Sequence, residues 1–115
     1  MGERNLLGAF EELVLLAVAR GDGDAYGMSV RRDVQARSGR DVTIGAVYST
    51  LDRLETKGLL GSVTREGDAV RGGQARRCFE LAPEGATALL EARERHDSAW
   101  RDLDREQLAD VAGGD

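Results

Sequence analysis

One cysteine, one histidine, one proline and one tryptophan in 115 residues leave little of the chemistry on which many small domains rely. The lone Cys78 excludes an internal disulfide framework, and with a single histidine, His96, the chain offers no clustered Cys/His site, so neither a metal nor a cofactor is expected. Long apolar runs are also missing. The longest, Leu13 to Ala19, falls far short of the roughly 20 residues that cross a bilayer. The start shows no basic stretch followed by an apolar one and a cleavage site, so a cytoplasmic protein is expected. Catalytic arrangements are absent too: there is no Ser/His/Asp set, no glycine loop ahead of a helix to cradle a phosphate, and no metal-ligand spacing. An enzyme is not expected. Gly21-Asp22-Gly23-Asp24 has a superficial look of a calcium loop, but the later carboxylate ligands are lacking and it reads as a helix connector. No internal repeat or low-complexity linker divides the chain.

A net basic charge is lacking as well, and the distribution says more than the total of −5. Residues 1–82 carry 12 Lys/Arg against 12 Asp/Glu, whereas residues 83–115 carry four Arg against nine acidic residues. The whole negative excess therefore lies at the C-terminal end, joined to a neutral unit whose arginines are free to cluster. That permits a nucleic-acid partner without requiring one. What is plentiful is apolar residue content, at 41%, enough for one compact domain of this length.

Periodicity orders the elements. Leu6, Phe10, Leu13, Val14 and Ala17 follow helical spacing up to Arg20, and Leu7, Leu15, Leu16 and Val18 make most of the remaining circumference apolar, so a first helix buried on two sides is predicted. Tyr26, Val30 and Val34 recur every four residues until Ser38-Gly39 ends a second helix, with Arg31, Arg32 and Asp33 mostly off that stripe. Thr43 suits the N-cap of a third, whose apolar face is Ile44, Val47, Leu51 and Leu54 and whose end is Lys57-Gly58. Leu59–Arg65 and Arg76–Leu81 read as strands of a long-looped hairpin across 66–75, with Phe79 and Leu81 on one face. Pro83 fits the first turn of a fourth helix running to about Leu108, with Leu89, Ala92, His96, Ala99, Trp100 and Leu103 toward one side.

Three helices followed by a β-hairpin is the order of the winged helix-turn-helix, so the fold expected is mainly α with a small β-hairpin, a winged unit over 1–82 and a C-terminal dimerisation helix and tail over 83–115. The third helix is then the candidate reader of DNA. With its apolar stripe inward, about 100° per residue turns Gly45, Ser49, Asp52, Arg53 and Thr56 outward, with Ala46 and Tyr48 on the flanks. Small residues at Thr43, Gly45, Ala46 and Ser49 allow close approach to base edges, Tyr48 can bond a phosphate, and Arg53 can reach a guanine or the backbone. In the hairpin, Lys57, Arg65, Arg71, Arg76 and Arg77 outnumber Glu66, Asp68 and Glu80, and Gly72-Gly73 loosens the tip, as suits a wing that follows a phosphate backbone. An ordinary amphipathic helix and a solvated hairpin are the bland alternatives.

The blocks Leu13–Ala19, Ala25-Tyr26-Gly27, Gly45-Ala46-Val47-Tyr48-Ser49-Thr50-Leu51-Asp52-Arg53-Leu54-Glu55, Gly58-Leu59-Leu60, Gly72-Gly73-Gln74-Ala75-Arg76-Arg77 and Pro83-Glu84-Gly85 together resemble PadR-type transcriptional regulators, over about Leu7 to Leu90. The third-helix block is the specific part. The resemblance, closest to the compact subgroup with a short last helix, implies a dimeric repressor in which Tyr48 and the start of the third helix contact DNA, the hairpin is the wing, and the last helix pairs with the partner's first. Two departures stand outside the reader: Cys78 where the family usually has an aromatic, and Ala82 where it often has a Thr cap, a hydrogen bond worth about 1 kcal/mol, so the fourth helix is expected to fray at its start or borrow a cap.

A homodimer also follows from the residues, because a first helix apolar on two sides and a separate stripe on the last helix need a second partner. The interface expected comprises Leu6, Phe10, Leu13, Leu89, Ala92, His96, Trp100 and Leu103. Two readers on one face of the duplex then call for a pseudo-palindromic operator with half-sites about one helical turn apart. Some compact PadR-like proteins bind flat aromatic compounds between paired tryptophans, which would place a small aromatic effector against Phe10, Val14, His96 and Trp100; an interface anchor is the more ordinary role of Trp100. His96 is more often an interface residue than a pH sensor. Cys78 alternates with Phe79, which puts it on the more exposed strand face beside Arg76 and Arg77, a setting that can make a thiol reactive, although most single cysteines in such places do nothing. The competing function is a winged-helix protein-interaction module without specific DNA binding, which the overall acidity keeps open; a MarR-like repressor would place more helix before the reader.

Overall fold

The computed structural model describes residues 6–66 and 75–113. Within them the order is α1 (Ala9–Gly21), α2 (Gly27–Ser38), α3 (Ile44–Thr56), β1 (Leu60–Arg65), β2 (Arg76–Leu81), α4 (Pro83–Trp100) and α5 (Arg105–Val111). Local chemistry sets most of these limits. Gly39, at φ 72°, closes α2 with its N–H on the Gln35 carbonyl, a left-handed cap that glycine adopts without a Cβ penalty. Thr43 Oγ1 accepts from the Ala46 N–H at 3.1 Å and so opens α3 as its sequence position predicts.

The core forms where α1, α2 and α3 converge on the hairpin. Val14, Leu15 and Val18 of α1, Val30 and Val34 of α2, Val47, Leu51 and Leu54 of α3 and Phe79 of β2 are all buried against one another. The predicted stripe of α3 is the buried one, with Ile44 at its margin. The face predicted for α1 is shared: Phe10 and Leu13 are half-buried at the edge of the cluster, while Val14 is fully inside it.

β1 and β2 pair antiparallel from Leu60↔Leu81 to Arg65↔Arg76. A third short segment joins them, since Ala25 bridges Phe79 and its carbonyl accepts the Phe79 N–H at 2.7 Å. This flanking segment corrects the expectation for Cys78, which is buried rather than exposed. Phe79 turns toward the core, and on the opposite face of β2 Arg76 and Glu80 are exposed while Cys78 between them is buried, with Arg76 lying against the Tyr26 ring.

α4 starts at Pro83 without a side-chain cap, and its entry is held by the backbone: the Ala82 N–H reaches the Leu59 carbonyl at 3.1 Å and the Ala86 N–H the Ala82 carbonyl at 3.0 Å. The approach at Leu59 is close enough that a Cβ on Gly85 would run into that carbonyl oxygen. Leu89 packs on the core and Ala92 is buried, so the first half of α4 adheres to the winged unit. The helix does not continue to Leu108 as predicted. It ends at Trp100, Asp102 turns to φ 65°, and Asp104 caps a separate α5 by accepting the Glu106 N–H at 2.9 Å. Leu103 therefore lies in the turn, off the helical face assigned to it. No described helix is long and apolar enough to cross a membrane, and no described group of three or more His, Cys, Asp or Glu side chains is placed to hold a metal ion.

Candidate nucleic-acid interface

The outer face of α3 is small at its N-terminal end and charged at the other. Thr43, Gly45, Ala46 and Ser49 are all exposed, and a Cβ on Gly45 would meet nothing. Backbone and short side chains thus form a smooth surface beside helix N–H groups that carry partial positive charge. Tyr48 stands at its flank, 40% exposed, with its phenol lying across Gly27 so closely that a Cβ there would collide with Cζ and Oη. Glycine at the first residue of α2 is thereby tied to the placement of Tyr48.

The charged end of α3 is occupied with internal bonds. Glu11, buried on α1, accepts from Arg53 Nε at 3.1 Å and Lys57 Nζ at 3.0 Å, and also from the Gly8 N–H at 3.0 Å. Burial alone would raise the Glu11 pKa, but the Gly8, Lys57 and Arg53 bonds together outweigh it and hold the carboxyl below its ordinary value. Arg53, expected to project toward a base, instead links α3 to α1, with a further bond to Thr50 Oγ1 at 3.3 Å. It remains half exposed along its side chain.

The wing shows the same economy. Arg77 reaches back to α3, bonding Asp52 Oδ1 at 3.1 Å and Glu55, and it lies over the Phe79 ring. Burial pulls its pKa down, and the two carboxylates more than reverse that, leaving it raised. Arg65 donates to the Gly23 carbonyl at 3.2 Å. Arg76 differs: its guanidinium stacks on Tyr26, 3.8 Å from the ring centroid. Arg71, Gly72 and Gly73, assigned to the wing tip, lie outside the described residues.

Tyr26 and Arg32 were not among the residues assigned to the site. The four-residue spacing of Tyr26, Val30 and Val34 marks a core stripe, and Val30 and Val34 are core, but Tyr26 is only partly buried and caps α2 from outside it. Its hydroxyl accepts from Arg32 Nη2 at 2.9 Å, the largest cause of its lowered pKa. Arg32, on α2 six residues after Tyr26, is the only hint in the sequence, since Arg76 comes from the distant hairpin.

The residues assigned to an effector differ in exposure. Val14 is sealed in the core, Phe10 is half-buried with Arg40 5.9 Å from its ring centroid, and His96 bonds Glu12 at 3.1 Å. Trp100 is 53% exposed at the end of α4. The shallow groove along α4 is lined instead by Leu6, Glu91, Glu94, Arg95 and Ser98. Of the assigned interface, Leu6, His96, Trp100 and Leu103 are exposed, Phe10, Leu13 and Leu89 are partly buried, and Ala92 is enclosed within the protomer, so Ala92 and Val14 have no surface to give a partner.

Comparison with known proteins agrees with this architecture. The profile of the Transcriptional regulator PadR-like family matches residues 15–91. The Transcriptional regulator Rv3488 of Mycobacterium tuberculosis is 38% identical over 87 residues, which is 76% of this chain and 73% of that protein. Among solved structures, RosR of H. salinarum superposes with a TM-score of 0.65 at 25% identity, covering 93% of this chain and 91% of that one. The PadR-like regulator BC4206 of Bacillus cereus gives 0.67 at 17% identity over 94% and 95%, a likeness of fold. The winged architecture, the extent of the family match and the Rv3488 relationship converge: the chain belongs to the PadR-like family of transcriptional regulators, and is not an enzyme.

Proposed function

We propose that this chain is a cytoplasmic repressor that binds a pseudo-palindromic operator as a homodimer, with the small face of α3 in the major groove and the hairpin along the backbone. The observation that carries the reading is the exposed, side-chain-poor start of α3 flanked by Tyr48. A helix enters a groove only if its outer face lets the backbone come close, and first-turn N–H groups favour a phosphate there. In this reading residues 1–82 read DNA and residues 83–115 pair the protomers, and Arg71, Gly72, Gly73 and Arg76 belong to the wing's contacts.

Pairing is supported by apolar side chains that find no cover in one protomer: Leu90, Trp100, Leu103, Leu108 and Val111 are exposed along α4, the turn and α5. Such a cluster on a 115-residue chain is the usual mark of an interface. A flat aromatic effector belongs to the same reading as the finer step, stacking on Trp100 between protomers beside Phe10 and His96.

The test is equilibrium binding to the duplex upstream of the protein's own gene against a scrambled duplex, at low and physiological salt. Preference for the upstream duplex, with affinity falling steeply as salt rises, is the expected outcome. Equal binding or none on both duplexes moves the function to protein interaction without specific DNA binding.

A further inference from the structure

Two guanidinium groups meet at one phenol on the side of the fold that carries Tyr48. Arg76, at the start of β2, stacks on one face of Tyr26, and Arg32 of α2 donates to its hydroxyl. Arg32 is also within 5.8 Å of the ring centroid, so both cations crowd the same side chain. No described carboxylate is bonded to either. Most neighbouring cations are engaged otherwise: Arg20 and Arg37 are paired with Asp33, Arg53 and Lys57 with Glu11, and Arg77 with Asp52 and Glu55, while Arg31 and Arg65 donate to the Val42 and Gly23 carbonyls. Each of those ion pairs neutralises charge inside the protomer, whereas the two guanidiniums at Tyr26 have no carboxylate partner among the described residues.

We infer that Tyr26, Arg32 and Arg76 form a seat for one phosphodiester of the DNA backbone, with Tyr26 as the positioning residue. The inference rests on the DNA-binding reading above and adds a contact point to it. The ring face fixes Arg76, which otherwise has four rotatable side-chain bonds, and thereby ties the base of the wing to the start of α2. The phenol oxygen accepts from Arg32 and keeps its own hydrogen to donate, so one phosphate oxygen can receive the hydroxyl while the two guanidiniums supply charge-assisted bonds. Gly27, next in sequence, supports Tyr48 from below, so the seat adjoins the flank of the reading helix. A backbone contact there would set the register in which α3 meets the bases, as phosphate contacts generally do.

The experiment is fluorescence anisotropy of full-length protein with the upstream duplex and with a random-sequence duplex, across a salt series, for wild type, Tyr26→Phe, Arg32→Ala, Arg76→Ala and the Tyr26→Phe/Arg32→Ala double variant. Tyr26→Phe keeps the stacking ring and removes only the hydroxyl, so folding is preserved; melting without DNA verifies it. Arg76→Ala is expected to weaken binding to both duplexes by roughly tenfold and to lower the slope of log affinity against log salt by about 0.9, the value of one phosphate contact. Tyr26→Phe and Arg32→Ala should each weaken binding several-fold, and together by less than the product of the two effects, because one bond joins them. If wild type binds with salt-sensitive affinity while Arg76→Ala and Tyr26→Phe keep its affinity and slope, the seat is refuted and the DNA-binding reading stands. If wild type itself shows no salt-sensitive binding to either duplex, both fall together.

Discussion

Replacing Glu11 by Gln tests whether the reading helix is locked to α1 by charge. Glu11 is 8% exposed and accepts from Gly8, Arg53 and Lys57. Gln keeps the size and an oxygen for the Gly8 N–H, so the substitution removes charge and little else. Stripping one partner from a fully buried pair costs about 3–5 kcal/mol. Here the Arg53 and Lys57 side chains are 52% and 26% exposed, so water screens part of the interaction and the expected loss is about 1–2 kcal/mol. For a chain of this length that lowers the melting temperature by about 4–8 °C. Melting is to be followed calorimetrically at fixed protein concentration, because self-association makes the midpoint concentration-dependent.

The pH dependence fixes the sign. The folded carboxyl lies below its ordinary value of 4.5, so its contribution is fully present above that value and disappears as pH falls through the folded pKa. The gap between wild type and Glu11→Gln should be full at neutral pH and close on acidification. Coincident melting curves at neutral pH, or a gap that widens with acid, would refute the argument.

Gly85→Ala should destabilise the fold by roughly 2 kcal/mol, since its Cβ would strike the Leu59 carbonyl and push α4 off the hairpin; an unchanged denaturant midpoint contradicts that. Gly27→Ala should displace the Tyr48 ring and weaken duplex binding while melting stays within a few degrees; parental affinity would show that Tyr48 does not act from this position. Trp100→Ala should weaken the dimer by at least about 2 kcal/mol, roughly thirtyfold, in sedimentation velocity, and unaltered self-association would place the interface elsewhere.

The sequence makes element types and one face of each helix legible because those depend on neighbours three or four residues away. Thr43, Gly39 and Pro83 act within one turn, and the α3 stripe is read from a single periodicity. What depends on a third partner is not legible in this way. Alternation places Cys78 opposite Phe79 correctly, but its burial follows from the segment at Ala25 and Tyr26 packing beside β2, fifty residues away in the chain. Likewise Arg53 points outward by helical geometry, yet its partner Glu11 comes from α1. The end of α4 is a different kind of miss: Asp104 and Gln107 have capping-box spacing, with the Asp104 N–H on Gln107 Oε1 at 3.2 Å, a start signal hidden inside a stretch that reads as continuous helix.

Charge shows how formal totals and folded surfaces diverge. Residues 1–82 balance to zero, which by itself permits a polyanionic partner without requiring one. In the fold, Glu11, Asp33, Asp52 and Glu55 are taken up by cations that would otherwise project from α1, α2, α3 and the wing. The pairing acts twice: it fixes α3 against α1 and the hairpin, and it leaves Arg32 and Arg76 beside Tyr26 with no carboxylate bonded to them among the described residues. A bound phosphate is in contact with such groups, whereas acidic side chains farther off than about 8 Å are largely screened at physiological salt. The acidic excess on α4 and α5 can therefore coexist with a cationic contact point at the wing, and the measurable consequence lies in the salt slope rather than the isoelectric point.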